Sequence, residues 1–87
     1  MKILIIEDDP TVIQTLQVLL ASFSYAVDVA DDGEAGLQMV EMYDYDLIVL
    51  DMLLPGLDGV EVCKQLRQRG VKTPILLLTG LGEGRQK

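Results

Sequence analysis

Histidine is absent from this 87-residue chain, cysteine occurs once, at Cys63, and only seven bases stand against fourteen acids. Each shortage excludes something. A single cysteine forms no intramolecular disulfide, so no disulfide framework holds the fold together. Without histidine, and with one thiol, zinc lacks its usual ligands. The shortage of bases leaves a net charge of −7 and a pI near 4.2, which disfavours nucleic acid as a direct partner. No G-x-G-x-x-G follows an apolar run, so a dinucleotide site is unsupported. The first apolar run, Ile3-Leu4-Ile5-Ile6, stops at Glu7. It is too short for a signal peptide or a membrane span, and the expectation is a soluble, cytoplasmic protein. What is present is a globular composition. Hydrophobic residues at 49% and a mean hydropathy of +0.30 exclude intrinsic disorder, and the length suits one small domain.

The charge is unevenly placed. Residues 1–58 hold twelve acids and one base, Lys2, whereas residues 59–87 hold six bases and two acids, Glu61 and Glu83. Such an acidic first part suggests a cation site, although two solvated surfaces of opposite sign would give the same counts.

Along the chain, apolar periodicity alternates between two kinds. Ile3–Ile6, Leu47–Leu50 and Ile75–Leu78 are unalternating runs, which predict strands buried on both faces. Tyr25–Ala30 alternates and predicts a more exposed strand near a sheet edge. Between them, Val12, Ile13, Leu16, Leu19, Leu20 and Phe23 recur at helical spacing, with Asp9 as N-cap and Pro10 at the first helical position. A second helix is expected to follow Asp31-Asp32-Gly33, with Ala35, Met39, Val40 and Met42 turned to the core. A third follows the turn-rich loop Met52–Gly59, with Val62, Cys63 and Leu66 inward and Gly70 closing it.

The order βαβαβαβ requires parallel strands joined by right-handed crossovers, and ligands in such sheets bind beyond the carboxyl ends of the strands. Those ends carry Glu7-Asp8, Asp51 and Thr79-Gly80. Taken singly, each residue has a plainer reading: acids at a helix N-terminus, a turn-forming Asp, a strand-end Thr. Together they form a cluster of three carboxylates and a hydroxyl, which needs a cation or a proton to offset its repulsion. Oxygen donors alone suit Mg²⁺, or Mn²⁺. With the cation bound, Asp51 is the best candidate for a nucleophile toward a phosphoryl group, and Thr79 for a donor to it.

These residues lie in segments that resemble the receiver domains of two-component response regulators: KILIIEDD near the start, DLIVLDMLLPGLDGVEVC in the middle and TPILLLTG toward the end, in the family's order and spacing. The resemblance implies a flavodoxin-like α/β sheet of four strands, order 2-1-3-4, with three helices. It implies that Asp51 accepts a phosphoryl group from a sensor histidine kinase or histidine phosphotransfer protein. It further implies Mg²⁺ held by Asp8, Asp51 and the Leu53 carbonyl, with Glu7 acting through water. Thr79 would contact the phosphoryl group and switch, Pro55 and Gly59 would shape the loop, and the Gly80 N–H would approach a phosphoryl oxygen. The family's further strand, helices and phosphate-contacting Lys have no counterpart, since Lys87 stands too close to Thr79. The expectation is therefore a receiver domain over 1–87 that is incomplete at its C-terminus. It would be a switch rather than a turnover enzyme, and a homo-oligomer through the bare edge of strand 75–78. The alternative is a phosphorylation-independent interaction module. A Mg²⁺ phosphohydrolase would carry a second Asp two positions after Asp51, where Leu53 stands.

Overall fold

Three short apolar runs and one alternating run pair side by side into a parallel sheet, and the connections between them form helices on its two faces. The computed structural model of the chain describes residues 1–54 and 56–78. Its elements are β1 (Lys2–Ile6), α1 (Pro10–Ala21), β2 (Ala26–Ala30), α2 (Gly33–Met42), β3 (Leu47–Asp51), α3 (Gly59–Gln68) and β4 (Ile75–Leu78), with strand order β2-β1-β3-β4. The flavodoxin-like arrangement expected from the sequence is the one observed.

Burial follows strand position. The central strands β1 and β3 bury every residue from Ile3 to Ile6 and from Ile48 to Asp51. Their side chains alternate between two cores. Leu4, Ile6, Ile48 and Leu50 pack with Leu37, Val62 and Leu66 of α2 and α3. Ile3, Ile5 and Val49 pack on the other face with Leu16 and Leu20 of α1. β2, read as an edge strand from its alternation, is one. β4 departs from expectation: Ile75 and Leu78 are half-buried, but Leu76 and Leu77 are 53% and 42% exposed. Among the described residues β4 pairs only with β3, at the end of the sheet.

Each helix start is fixed by an aspartate whose side chain accepts a backbone N–H: Asp9 from Thr11 (2.9 Å), Asp32 from Ala35 (2.8 Å) and Asp58 from Glu61 (2.9 Å). Such caps satisfy donors that a helix cannot satisfy internally. α3 ends at Gln68, with Gly70 beyond it at φ 80°, a conformation natural to glycine. Two inward assignments are corrected. Leu19 and Phe23, expected on the core side of the first helix, are exposed, and that helix stops at Ala21. Met42, expected to fill core space, is also exposed. The sheet accepts only one row of α1, and Met42 is the last residue of α2, beyond the sheet contact.

Candidate functional site

Register brings the carboxylates together. β1 and β3 pair Ile6 with Leu50, so the next residues, Glu7 and Asp51, leave the sheet side by side at its carboxyl edge. β2 lies on the other side of β1, and the Glu7 N–H donates to the Ala30 carbonyl at 3.0 Å. Beyond Ile6 the backbone turns, and Glu7 Oε2 accepts the N–H groups of Asp8 (2.8 Å) and Asp9 (3.0 Å). Glu7 is thus wholly buried as an acceptor for its own loop, while Asp8 is half-buried beside it. Asp51, 2% exposed, accepts the Leu53 N–H on Oδ1 at 3.0 Å, which curls the following loop over the strand end.

Gly59 completes this corner. Its N–H donates to the Met52 carbonyl at 3.2 Å. A Cβ there would lie 2.6 Å from Met52 Cα and press on the Asp51 carbonyl oxygen. Only glycine lets the start of α3 approach the end of β3 this closely.

One carboxylate oxygen from each of Glu7, Asp8 and Asp51 lies within 4.8 Å of the others. At an effective dielectric near 20, two unit charges 4.8 Å apart repel by about 3.5 kcal/mol. The Glu7 carboxyl is pushed up from 4.5 to about 7. Burial is the main cause, and the neighbouring Asp51 adds a hydrogen bond and like charge in the same direction. The N–H groups of Asp9 and Asp8 pull the other way. Two nearly dry carboxylates and one half-buried one, all hard oxygen donors, fit a small divalent cation such as Mg²⁺.

The structure therefore brings together Glu7, Asp8 and Asp51, with the Leu53 N–H on Asp51 Oδ1. Thr79, Gly80 and Pro55 lie outside the described residues. Sequence reasoning missed the depth of Glu7, for which the signal was its position directly after an uninterrupted apolar strand. It also missed Tyr45, a buried side chain at the opposite edge of the sheet whose hydroxyl donates to Asp28 Oδ2 at 2.7 Å. Among the described residues no helix is long and apolar enough to cross a membrane.

Comparison with known proteins agrees with this geometry. Residues 3–87 match the family described as response regulator receiver domain. Protein RcaC of Microchaete diplosiphon is 49% identical over 79 residues, covering 91% of this chain and 12% of its own. The cell cycle response regulator CtrA of Brucella abortus is 46% identical over 81 residues, covering 93% of this chain and 35% of its own. The chain thus spans about a third or less of the length of these curated relatives. Among solved structures, the response regulator TrrA of Thermotoga maritima, in complex with Mg²⁺-BeF, superposes with a TM-score of 0.86. It is 32% identical, with 99% of this chain and 75% of that chain covered.

Proposed function

The chain belongs to the response regulator receiver domains, which are signalling modules, and we propose that it is a Mg²⁺-dependent phosphoacceptor switch with Asp51 as acceptor. The observation that carries this reading is the meeting of Glu7, Asp8 and Asp51 within 4.8 Å at the carboxyl edge of the sheet. Support for the cation comes from the all-oxygen donor set and from the Mg²⁺-BeF complex of the similar TrrA protein. Asp8, Asp51 and the Leu53 carbonyl would hold the ion directly, with Glu7 behind them. Bound there, Mg²⁺ supplies positive charge against which a phosphoryl group can be placed.

The residues of the chain do the rest. An Asp51 carboxylate oxygen attacks phosphorus as the phosphorus–nitrogen bond of a phosphohistidine breaks. The imidazole leaves with the bonding electron pair and takes a proton. The Leu53 N–H on Oδ1 fixes the orientation of the attacking carboxylate. Gly59 keeps α3 close enough to hold the loop in place. Thr79 would donate to a phosphoryl oxygen. The partner is a histidine kinase or phosphotransfer protein, the chain makes no direct contact with nucleic acid, and it works in the cytoplasm without catalysing turnover. Incubation with Mg²⁺ and a small acyl phosphate, followed by intact-mass spectrometry, should give one phosphoryl increment that EDTA prevents. No increment in Mg²⁺ refutes the reading.

A second reading is a phosphorylation-independent module that pairs through β4. The exposed Leu76 and Leu77 favour it, because an uncharged apolar edge strand is a template for another strand. A homo-oligomer that charge substitution on β4 dissolves would support it.

A further inference from the structure

α2 reaches the loop of the acceptor from a side that no motif marks. The helix begins at Gly33, which is buried. No left-handed φ calls for glycine at this position. Space does. A Cβ at Gly33 would stand 2.7 Å from Val62 Cγ2, 2.8 Å from the Leu57 carbonyl oxygen and 3.3 Å from Leu57 Cβ. Val62 belongs to α3 and is wholly buried, and Leu57 lies in the loop between Asp51 and α3. The first turn of α2 is thus seated directly on that loop.

The same turn is anchored to the other half of the site. At the end of β2 the Ala30 carbonyl accepts the Glu7 N–H at 3.0 Å. Asp32 then caps the helix, its side chain accepting from Ala35 at 2.8 Å and its carbonyl from Gly36 at 3.1 Å. Gly36 rests on Ile6, the residue before Glu7, where a Cβ would fall 2.5 Å from Ile6 Cδ1. α2 therefore starts from the end of β1 and presses on the loop that follows β3. Of the two, the loop is the part that yields. A cavity of about 340 Å³, lined by Asp32, Gly33, Glu34, Gly56 and Leu57, opens beside it and leaves it room to shift.

At its near end this loop gives the Leu53 N–H to Asp51 Oδ1 at 3.0 Å, and at its far end Asp58 caps α3. A displacement at Leu57 is carried toward both. We infer that Gly33 is a positioning residue of the acceptor site: its lack of a side chain lets α2 seat the loop so that the Leu53 N–H stays on Asp51 and the Leu53 carbonyl stands where a cation would use it. The seating is a matter of packing alone, whereas the use of the Leu53 carbonyl rests on the phosphoacceptor reading. Groups that orient a ligand without touching the metal commonly decide metal affinity.

Amide hydrogen exchange and a Mg²⁺ titration of the parent, Gly33→Ala and Gly70→Ala test this. Gly70→Ala strains a φ of 80° beyond the far end of α3 and serves as a variant destabilised away from the site. Exchange of the Leu53 N–H is read against amides of β1 and β3, which report global unfolding. Relative to those amides, Leu53 in Gly33→Ala should exchange about tenfold faster than in the parent, and in Gly70→Ala it should not. Gly33→Ala should also weaken Mg²⁺ binding by about tenfold. If Gly33→Ala does not fold, Gly33→Ala with Val62→Ala gives the methyl room on the α3 side, leaves the Leu57 carbonyl in its way, and is read identically. Leu53 exchange that keeps step with the strands in Gly33→Ala overturns the inference, because the substitution then acts on stability alone. Faster Leu53 exchange with unchanged Mg²⁺ affinity overturns its claim on the Leu53 carbonyl. Faster exchange in a protein whose parent binds no Mg²⁺ upholds the seating and refutes the phosphoacceptor reading instead.

Discussion

Replacing Asp51 by Asn should make the metal-free protein more stable, not less. Asn has nearly the shape of Asp, and its Oδ1 can still accept the Leu53 N–H that Asp51 accepts at 3.0 Å. What the substitution removes is a negative charge within 4.8 Å of carboxylate oxygens of Glu7 and Asp8. Each such pair repels by about 3.5 kcal/mol at an effective dielectric near 20, and screening by salt and solvent lowers this. Relief of even about 1 kcal/mol raises the melting temperature of a domain this size by about 4–8 °C. The assay is thermal unfolding near pH 8, in EDTA and then in excess Mg²⁺. In EDTA, Asp51→Asn should melt above the parent. In Mg²⁺ the order should reverse, because a ligand stabilises the fold in proportion to its binding and the variant has lost a donor. Equal melting in EDTA together with equal stabilisation by Mg²⁺ would refute the reasoning. A variant that melts well below the parent in EDTA would show that Asp51 is structural.

Without metal, Glu7 gives the protein a pH dependence of definite sign. Its folded-state carboxyl is raised from 4.5 to about 7, so its contribution is fully present below about 4.5 and is lost as pH rises through about 7. Urea unfolding in EDTA at pH 5 and pH 8 should show the parent losing stability relative to Glu7→Gln, and parallel profiles would count against this. Gly59→Ala forces a methyl group onto the Met52 Cα and the Asp51 carbonyl; it should cost about 1–3 kcal/mol in urea unfolding and weaken the response to Mg²⁺. Tyr45→Phe removes the 2.7 Å hydrogen bond to Asp28 and should cost about 1.5–3 kcal/mol, since the acceptor is charged. Burial and Asp28 also raise the Tyr45 phenol above its ordinary value. The parent should therefore lose stability above about pH 10 more steeply than Tyr45→Phe, as melting curves across that range would show.

The strands were legible because they are buried on two faces. Ile3–Ile6 and Leu47–Leu50 admit no polar residue, the pattern of parallel strands buried on both faces. Their carboxyl ends, and with them Glu7, Asp8 and Asp51, follow from the βαβ order. The fine register, Ile6 beside Leu50, does not; it decides that Glu7 and Asp51 touch. Helix faces were less legible. α1 offers apolar residues on more than one row, and periodicity cannot tell which row the sheet accepts. The row with Leu16 and Leu20 won, leaving Leu19 and Phe23 in solvent. The same limit hid Leu76 and Leu77, since a uniformly apolar run reads alike at the centre and at the edge of a sheet. The depth of Glu7 depends on hydrogen bonds from the two residues after it, which no spacing rule announces.

The most direct test of the central claim locates the acceptor atom. The chain is incubated with an acyl phosphate in Mg²⁺ and reduced with borohydride, which converts an aspartyl phosphate to homoserine, then digested and sequenced by mass spectrometry. Homoserine at position 51, absent after EDTA and absent from Asp51→Asn, is the predicted result. Homoserine at position 8, or none at any position despite added Mg²⁺, would contradict it.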